Sequence, residues 1–69
     1  MGVYELRVRR ASNHHRIQRL SWAWFGQPGP SDVCEALETV RQETEVPVDW
    51  EFVSPRGDVI DKGRISPGR

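Results

Sequence analysis

A single cysteine, Cys34, is all the thiol chemistry this chain of 69 residues carries. One thiol excludes an internal disulfide framework, and a small domain without disulfides fits a reducing compartment, so the sequence predicts a cytoplasmic protein. No apolar run approaches the roughly 18 residues that a membrane span needs. The opening stretch, MGVYELRVRR, has no apolar core of an export signal. No membrane partner is therefore expected. Catalytic signatures are equally scarce: there is no glycine-rich nucleotide loop, nucleophile elbow or zinc-protease motif. So short a chain also leaves little volume for a pocket of convergent polar groups. The expectation is a protein that is not an enzyme, with no cofactor.

The few residues that could carry chemistry have simpler readings. His14 and His15 with Cys34 look like a metal set, but neighbouring strand residues point to opposite faces and neither a C-x-x-C nor an H-x₃₋₅-H spacing is present. Cys34 falls near an expected helix N-terminus, where the dipole would favour its thiolate, yet a lone cysteine reads more simply as a small buried hydrophobe. Arg56-Gly57-Asp58 spells a cell-adhesion tripeptide, but any tight turn recruits Gly and Asp.

What the chain does have is a globular composition, 36% hydrophobic and 29% charged with three tryptophans, enough to build one small core. Its net charge is zero, but the charges are segregated. Residues 1–30 hold Arg7, Arg9, Arg10, Arg16 and Arg19 against Glu5. Residues 31–54 hold Asp32, Glu35, Glu38, Glu43, Glu45, Asp49 and Glu51 against Arg41. Residues 55–69 turn basic again, with Arg56, Lys62, Arg64 and Arg69 against Asp58 and Asp61. Such a bipolar field can orient a partner, while overall neutrality removes much of the long-range pull of a dedicated nucleic-acid binder. Pairing of these charges within the molecule is the plainer alternative.

The hydrophobic pattern predicts an α+β domain of order ββαββ over residues 1–66, an antiparallel sheet with one helix packed on one face, and a disordered tail over residues 67–69. Residues 3–10 alternate, with Tyr4, Leu6 and Val8 on one side. Residues 16–25 return as a second strand, ending at the breaker cluster GQPGP. From Ser31, Val33, Leu37 and Val40 form a helical stripe, with Ser31 or Asp32 as N-cap; an Asp32 cap would put Glu35 at the capping-box position. Pro47 stops the helix at about Glu45. VDWEFV alternates as a third strand with Val48, Trp50 and Phe52 inward and Val53 outward. SPRG turns on Gly57, and DVIDKGRI forms the fourth strand, with Gly63 at a bulge or a fraying end.

Trp22 and Trp24 are either core or an exposed stacking platform. A three-residue loop, 12–14, would set Leu6 opposite Leu20, Tyr4 opposite Trp22 and Gly2 opposite Trp24. That register buries the rings, and Asn13 or His14 would supply the left-handed residue the loop needs. The outer face then carries Glu5, Arg7, Arg9, Ile17, Arg19 and Ser21, basic but without the aromatic platform that single-stranded nucleic-acid readers use.

The leading expectation is a small non-catalytic regulator or inhibitor that acts on another protein through its acidic helix, its basic sheet face or a strand edge. Small regulatory and phage-type inhibitor proteins share this order of elements, although no residue motif identifies one of them here. The candidate partner-binding residues are the acidic ridge Glu35, Glu38, Gln42 and Glu45. The competing reading is a DNA- or RNA-binding module using Arg7, Arg9, Arg10, Arg16 and Arg19. A homo-oligomer is compatible with either.

Overall fold

Leu6 and Val8 have no exposed surface at all, and the molecule is arranged around them. The computed structural model describes residues 2–67, so Gly68 and Arg69 of the expected tail lie outside the described residues. Strand β1 is Tyr4–Arg10, β2 is Trp22–Trp24, helix α1 is Pro30–Glu43, β3 is Val48–Val53 and β4 is Val59–Ile65. This is the ββαββ order read from the sequence. The sheet order is β2-β1-β3-β4 and every neighbouring pair is antiparallel. Because β2 and β3 both run against β1, they are parallel to each other, and α1 is the crossover that carries the chain over β1 between them.

The core lies between that helix and one face of the sheet. Leu6 stands opposite Phe52 and Val8 opposite Trp50. Above them, Leu6 and Phe52 pack with Ala36, while Val8 and Val48 pack with Val40 and Leu20. Val33 and Leu37 complete the helical stripe as half-buried neighbours. Trp22, Trp24 and Trp50 all face this core but remain half-buried at its margins, where the single helix does not fully cover them. Among the described residues no helix is long and apolar enough to cross a membrane.

The first hairpin departs from expectation in register. Tyr4 pairs with Trp24 and Leu6 with Trp22, two residues away from the expected alignment. A slip of two keeps every side chain on its face, so the tryptophans still point inward. The displaced residues are taken up between Ile17 and Ser21. The Ile17 N–H donates to the Val8 carbonyl (2.9 Å) and the Leu20 N–H to the Ile17 carbonyl (3.1 Å), which breaks the ladder into a turn. Residues three apart in a strand face opposite ways, whereas this turn lets Ile17 and Leu20 both pack on the core. Ile17 is therefore inward rather than outward, and β2 shrinks to three residues. The loop itself turns on His14, in the left-handed region at φ 61°.

The helix ends also differ from the expected ones. Gly29 is the N-cap and Pro30 the first helical residue, where its missing N–H costs nothing. Asp32 sits at the third helical position and its Oδ2 accepts the Gly29 N–H at 3.0 Å. At the other end the helix stops at Glu43, since Thr44 is already extended (φ −99°, ψ 146°) and begins the descent into β3.

In the second hairpin the Ser54 Oγ accepts the Arg56 and Asp58 N–H groups (3.3 and 3.2 Å), and Gly57 takes φ 92°. The register slips between Phe52 and Val53, leaving Ile60 as the extra residue and setting Val59 opposite Val53. Val53 does face away from the helix but is buried between Glu5 and Val59. Gly63 lies directly opposite Trp50, and a Cβ there would stand 2.9 Å from the indole Cε2, Cζ2 and Nε1 atoms. Gly63 is thus the seat of a tryptophan ring, and the bulge falls at Ile60 instead.

Replacing Gly63 by Val should displace that ring. The expected outcome is a loss of about 1–3 kcal/mol in chemical denaturation with a red shift of tryptophan emission. An unchanged midpoint and spectrum would show that the ring does not depend on the missing side chain.

Candidate functional site

The sheet face turned away from α1 carries most of the strand charge, and the registers order it into stripes. Arg7 is opposite Glu51, which is opposite Lys62; Arg9 is opposite Asp49, which is opposite Arg64. Across the sheet the sequence of strands is therefore basic, acidic, basic. Arg9 Nη2 lies 3.4 Å from Glu51 Oε1, and Arg64 Nε donates to Asp49 Oδ1 at 2.7 Å. Within β1, Arg7 Nη2 is 3.0 Å from Glu5 Oε1, while Arg16 reaches the other Glu5 oxygen at 3.8 Å. Arg9, Asp49, Glu51, Lys62 and Arg64, with His14 at the loop, border a shallow depression of about 530 Å³.

The five hairpin arginines proposed for phosphate contact are therefore largely engaged. Arg7, Arg9 and Arg16 pair on the sheet, and Arg19 Nη1 is 3.6 Å from Glu43 Oε2 of the helix. Arg10 alone of the five has no ion pair among the described residues. The Arg7 Nε is moreover buried, so this side chain is held against the sheet rather than extended from it.

The acidic ridge is brought together only in part. Glu35, Glu38 and Gln42 are exposed on α1, but Glu45 lies beyond the helix end in the segment leading to β3. Glu38 is hydrogen-bonded by Arg41, and the Arg41 guanidinium holds its carboxyl below the usual range, chiefly through that bond. Cys34, expected in the core, is exposed on the helix. It stands apart from His14 and His15 in the hairpin loop, and among the described residues no three His, Cys, Asp or Glu side chains converge as a metal site.

The feature that sequence reasoning did not place is the outer edge of β4. This strand closes the sheet, and its seven residues are exposed apart from the half-buried Gly63 and Ile65. Val59 and Ile60 keep 49% and 50% of their surface in water, in a protein whose other branched aliphatic residues are, apart from Val46, buried or half-buried. Among the described residues no backbone hydrogen bond reaches this edge from outside the sheet. A signal was present: VIDKGRI carries charge on both alternating positions, as an edge strand with little cover on either face would.

The Asp49–Arg64 pair is the link between this edge strand and β3. Hydrogen bonding to Arg64 lowers the Asp49 carboxyl below its ordinary value of 3.8. A lowered folded-state value means that the pair stabilises the fold above the ordinary aspartate range and stops doing so as pH falls through the lowered one. Comparing the thermal midpoints of Asp49→Asn and the parent should give a small difference at pH 7 that closes in strong acid. A difference that persisted there would assign the effect to packing rather than charge.

No protein-family model matches the chain, no curated protein is detectably similar to it in sequence, and no solved structure is detectably similar to it in fold.

Proposed function

We propose that this chain is a small, non-catalytic binding protein of the cytoplasm. In this reading it regulates or inhibits another protein by taking one of that protein's extended segments onto the free edge of β4. The observation that carries the reading is the uncovered seven-residue edge, with Val59 and Ile60 exposed at its start. An edge strand offers unpaired N–H and C=O groups in register, a general means of protein recognition by strand addition. The other edge, β2, is only three residues long. The lone, exposed Cys34 suits a reducing compartment.

Two other surfaces compete less well. The helix ridge has lost Glu45 to the loop and shares Glu38 with Arg41. The DNA- or RNA-binding reading needs cations available to phosphates, and four of the five arginines it would use lie within ion-pair distance of carboxylates.

Affinity capture with three variants separates these surfaces. One carries Val59→Lys and Ile60→Lys, one Glu35→Gln, Glu38→Gln and Glu45→Gln, and one Arg9→Ala and Arg10→Ala. The partner should be retained after nuclease treatment and by the glutamine and alanine variants, and lost with the edge variant. Capture that disappears with nuclease, or only in the arginine variant, would overturn the proposal in favour of nucleic acid.

A further inference from the structure

Resting on the reading of β4 as the docking edge, we infer that its occupant is an extended segment of another protein with acidic side chains at every second position. A second copy of this chain paired through β4 is not the occupant. The argument starts from β3, which shows what fits beside a basic strand. Its Asp49 and Glu51 alternate with Val48, Trp50 and Phe52, so the acids meet Arg7 and Arg9 on one side and Lys62 and Arg64 on the other, while the apolar residues face the core. The stripes run basic, acidic, basic and then stop at β4. A fifth strand continues the alternation if it sets carboxylates opposite Lys62 and Arg64. Opposite charges facing each other across strands attract, and like charges repel.

Lys62 is the side chain with most to gain. Its opposite neighbour Glu51 is engaged by Arg9, and Lys62 itself has no ion pair among the described residues. Its backbone N–H donates to the carboxylate of the adjacent Asp61 (2.9 Å), a local bond that a partner's carbonyl would replace. On the other face the residues of β4 are Asp61, Gly63 and Ile65, opposite Phe52, Trp50 and Val48. An apolar side chain next to Gly63 would extend the packing of the Trp50 ring, which already lies over that glycine. The occupant is thus acidic on one face and apolar on the other, the pattern of β3 itself.

The same charges disfavour self-pairing. Two β4 edges aligned antiparallel with matching faces bring Lys62 against Lys62 when fully overlapped, or Lys62 against Arg64 when centred on Gly63, with no acid between them.

The test uses the full chain, ¹⁵N-labelled, and three blocked heptapeptides. The first alternates Val and Glu, the second alternates Val and Lys, and the third is the Val/Glu peptide with alternate backbone nitrogens methylated. The Val/Glu peptide should shift the amides of Val59–Ile65 and slow their exchange. It should bind about tenfold more tightly than the Val/Lys peptide at low salt, and the two should converge in about 1 M salt. Methylation should abolish binding. Lys62→Glu, a change at an exposed residue that leaves the Asp49–Arg64 pair in place, should reduce or invert the preference. Equal binding of the Val/Glu and Val/Lys peptides at β4 would overturn the acidic occupant and leave the edge reading standing. No response at β4 to any of the peptides would overturn both. A concentration-dependent dimer of the parent chain with protected β4 amides would assign the edge to a second copy and overturn the inference.

Discussion

Everything in this structure depends on the burial of one face of β1 from three directions. Leu6 and Val8 are closed in by β2 and β3 at their sides and by α1 above, and they are fully buried as a result. A helix of 14 residues is about 21 Å long and about 10 Å wide. Four strands at about 4.8 Å spacing spread their axes over roughly 14 Å, with side chains beyond. One helix can therefore roof about two strands and the groove between them. Seated over β1 and β3, α1 leaves β4 without a roof except at Ile65, which packs against the core. The exposed edge follows from having a single helix.

That geometry also accounts for the margins of the core. Trp22, Trp24 and Trp50 are large enough to reach under the helix from strands it does not fully cover, and they remain half-buried for the same reason. Trp50 extends the other way as well, over Gly63 of β4, so one ring serves as the core's border toward the unroofed strand. Tyr4 and Trp24 meet Phe52 at ring distances of 5.8 and 6.2 Å, which closes the opposite end with aromatic contact where aliphatic layers run out. Phe25, one residue further, is almost wholly exposed.

How much of this could be read from the sequence follows from which forces act locally. The inward faces of β1 and β3 and the helical stripe were legible, because alternation and the 3.6-residue period are written in neighbouring residues. The hairpin register was legible only to within two residues: a slip of two preserves each face, so burial alone cannot distinguish the alignments. The decision lay in a local turn at Ile17–Leu20 that lets two residues of unfavourable spacing both reach the core. Glu45 was placed on the helix because Pro47 sets only an upper limit to its length, whereas the need to lower Val48 into the sheet ends it at Glu43. The settings of Cys34 and Gly63 are not local properties, for a common reason. Each depends on what lies across from it, and strand order and helix rotation are properties of the whole chain.

The segregated charges become intelligible once the order β2-β1-β3-β4 is known. In sequence, a basic block, an acidic block and a basic block look like three surfaces that could each meet a partner. In space, the crossover inserts the acidic strand between the two basic ones, and most of the opposing charges consume one another. Exposed ion pairs of this sort add little stability each, but an arrangement with β1 beside β4 would set like charges against each other, which disfavours that order. They also remove the face as a strong polyelectrolyte site. What they leave over is positional: the alternation is complete on both sides of β3 and incomplete on one side of β4. A surface whose charges are satisfied internally discriminates among partners mainly where that pairing stops. Here it stops on the same strand whose backbone is open, so main-chain pairing and charge selection would act on a single incoming segment.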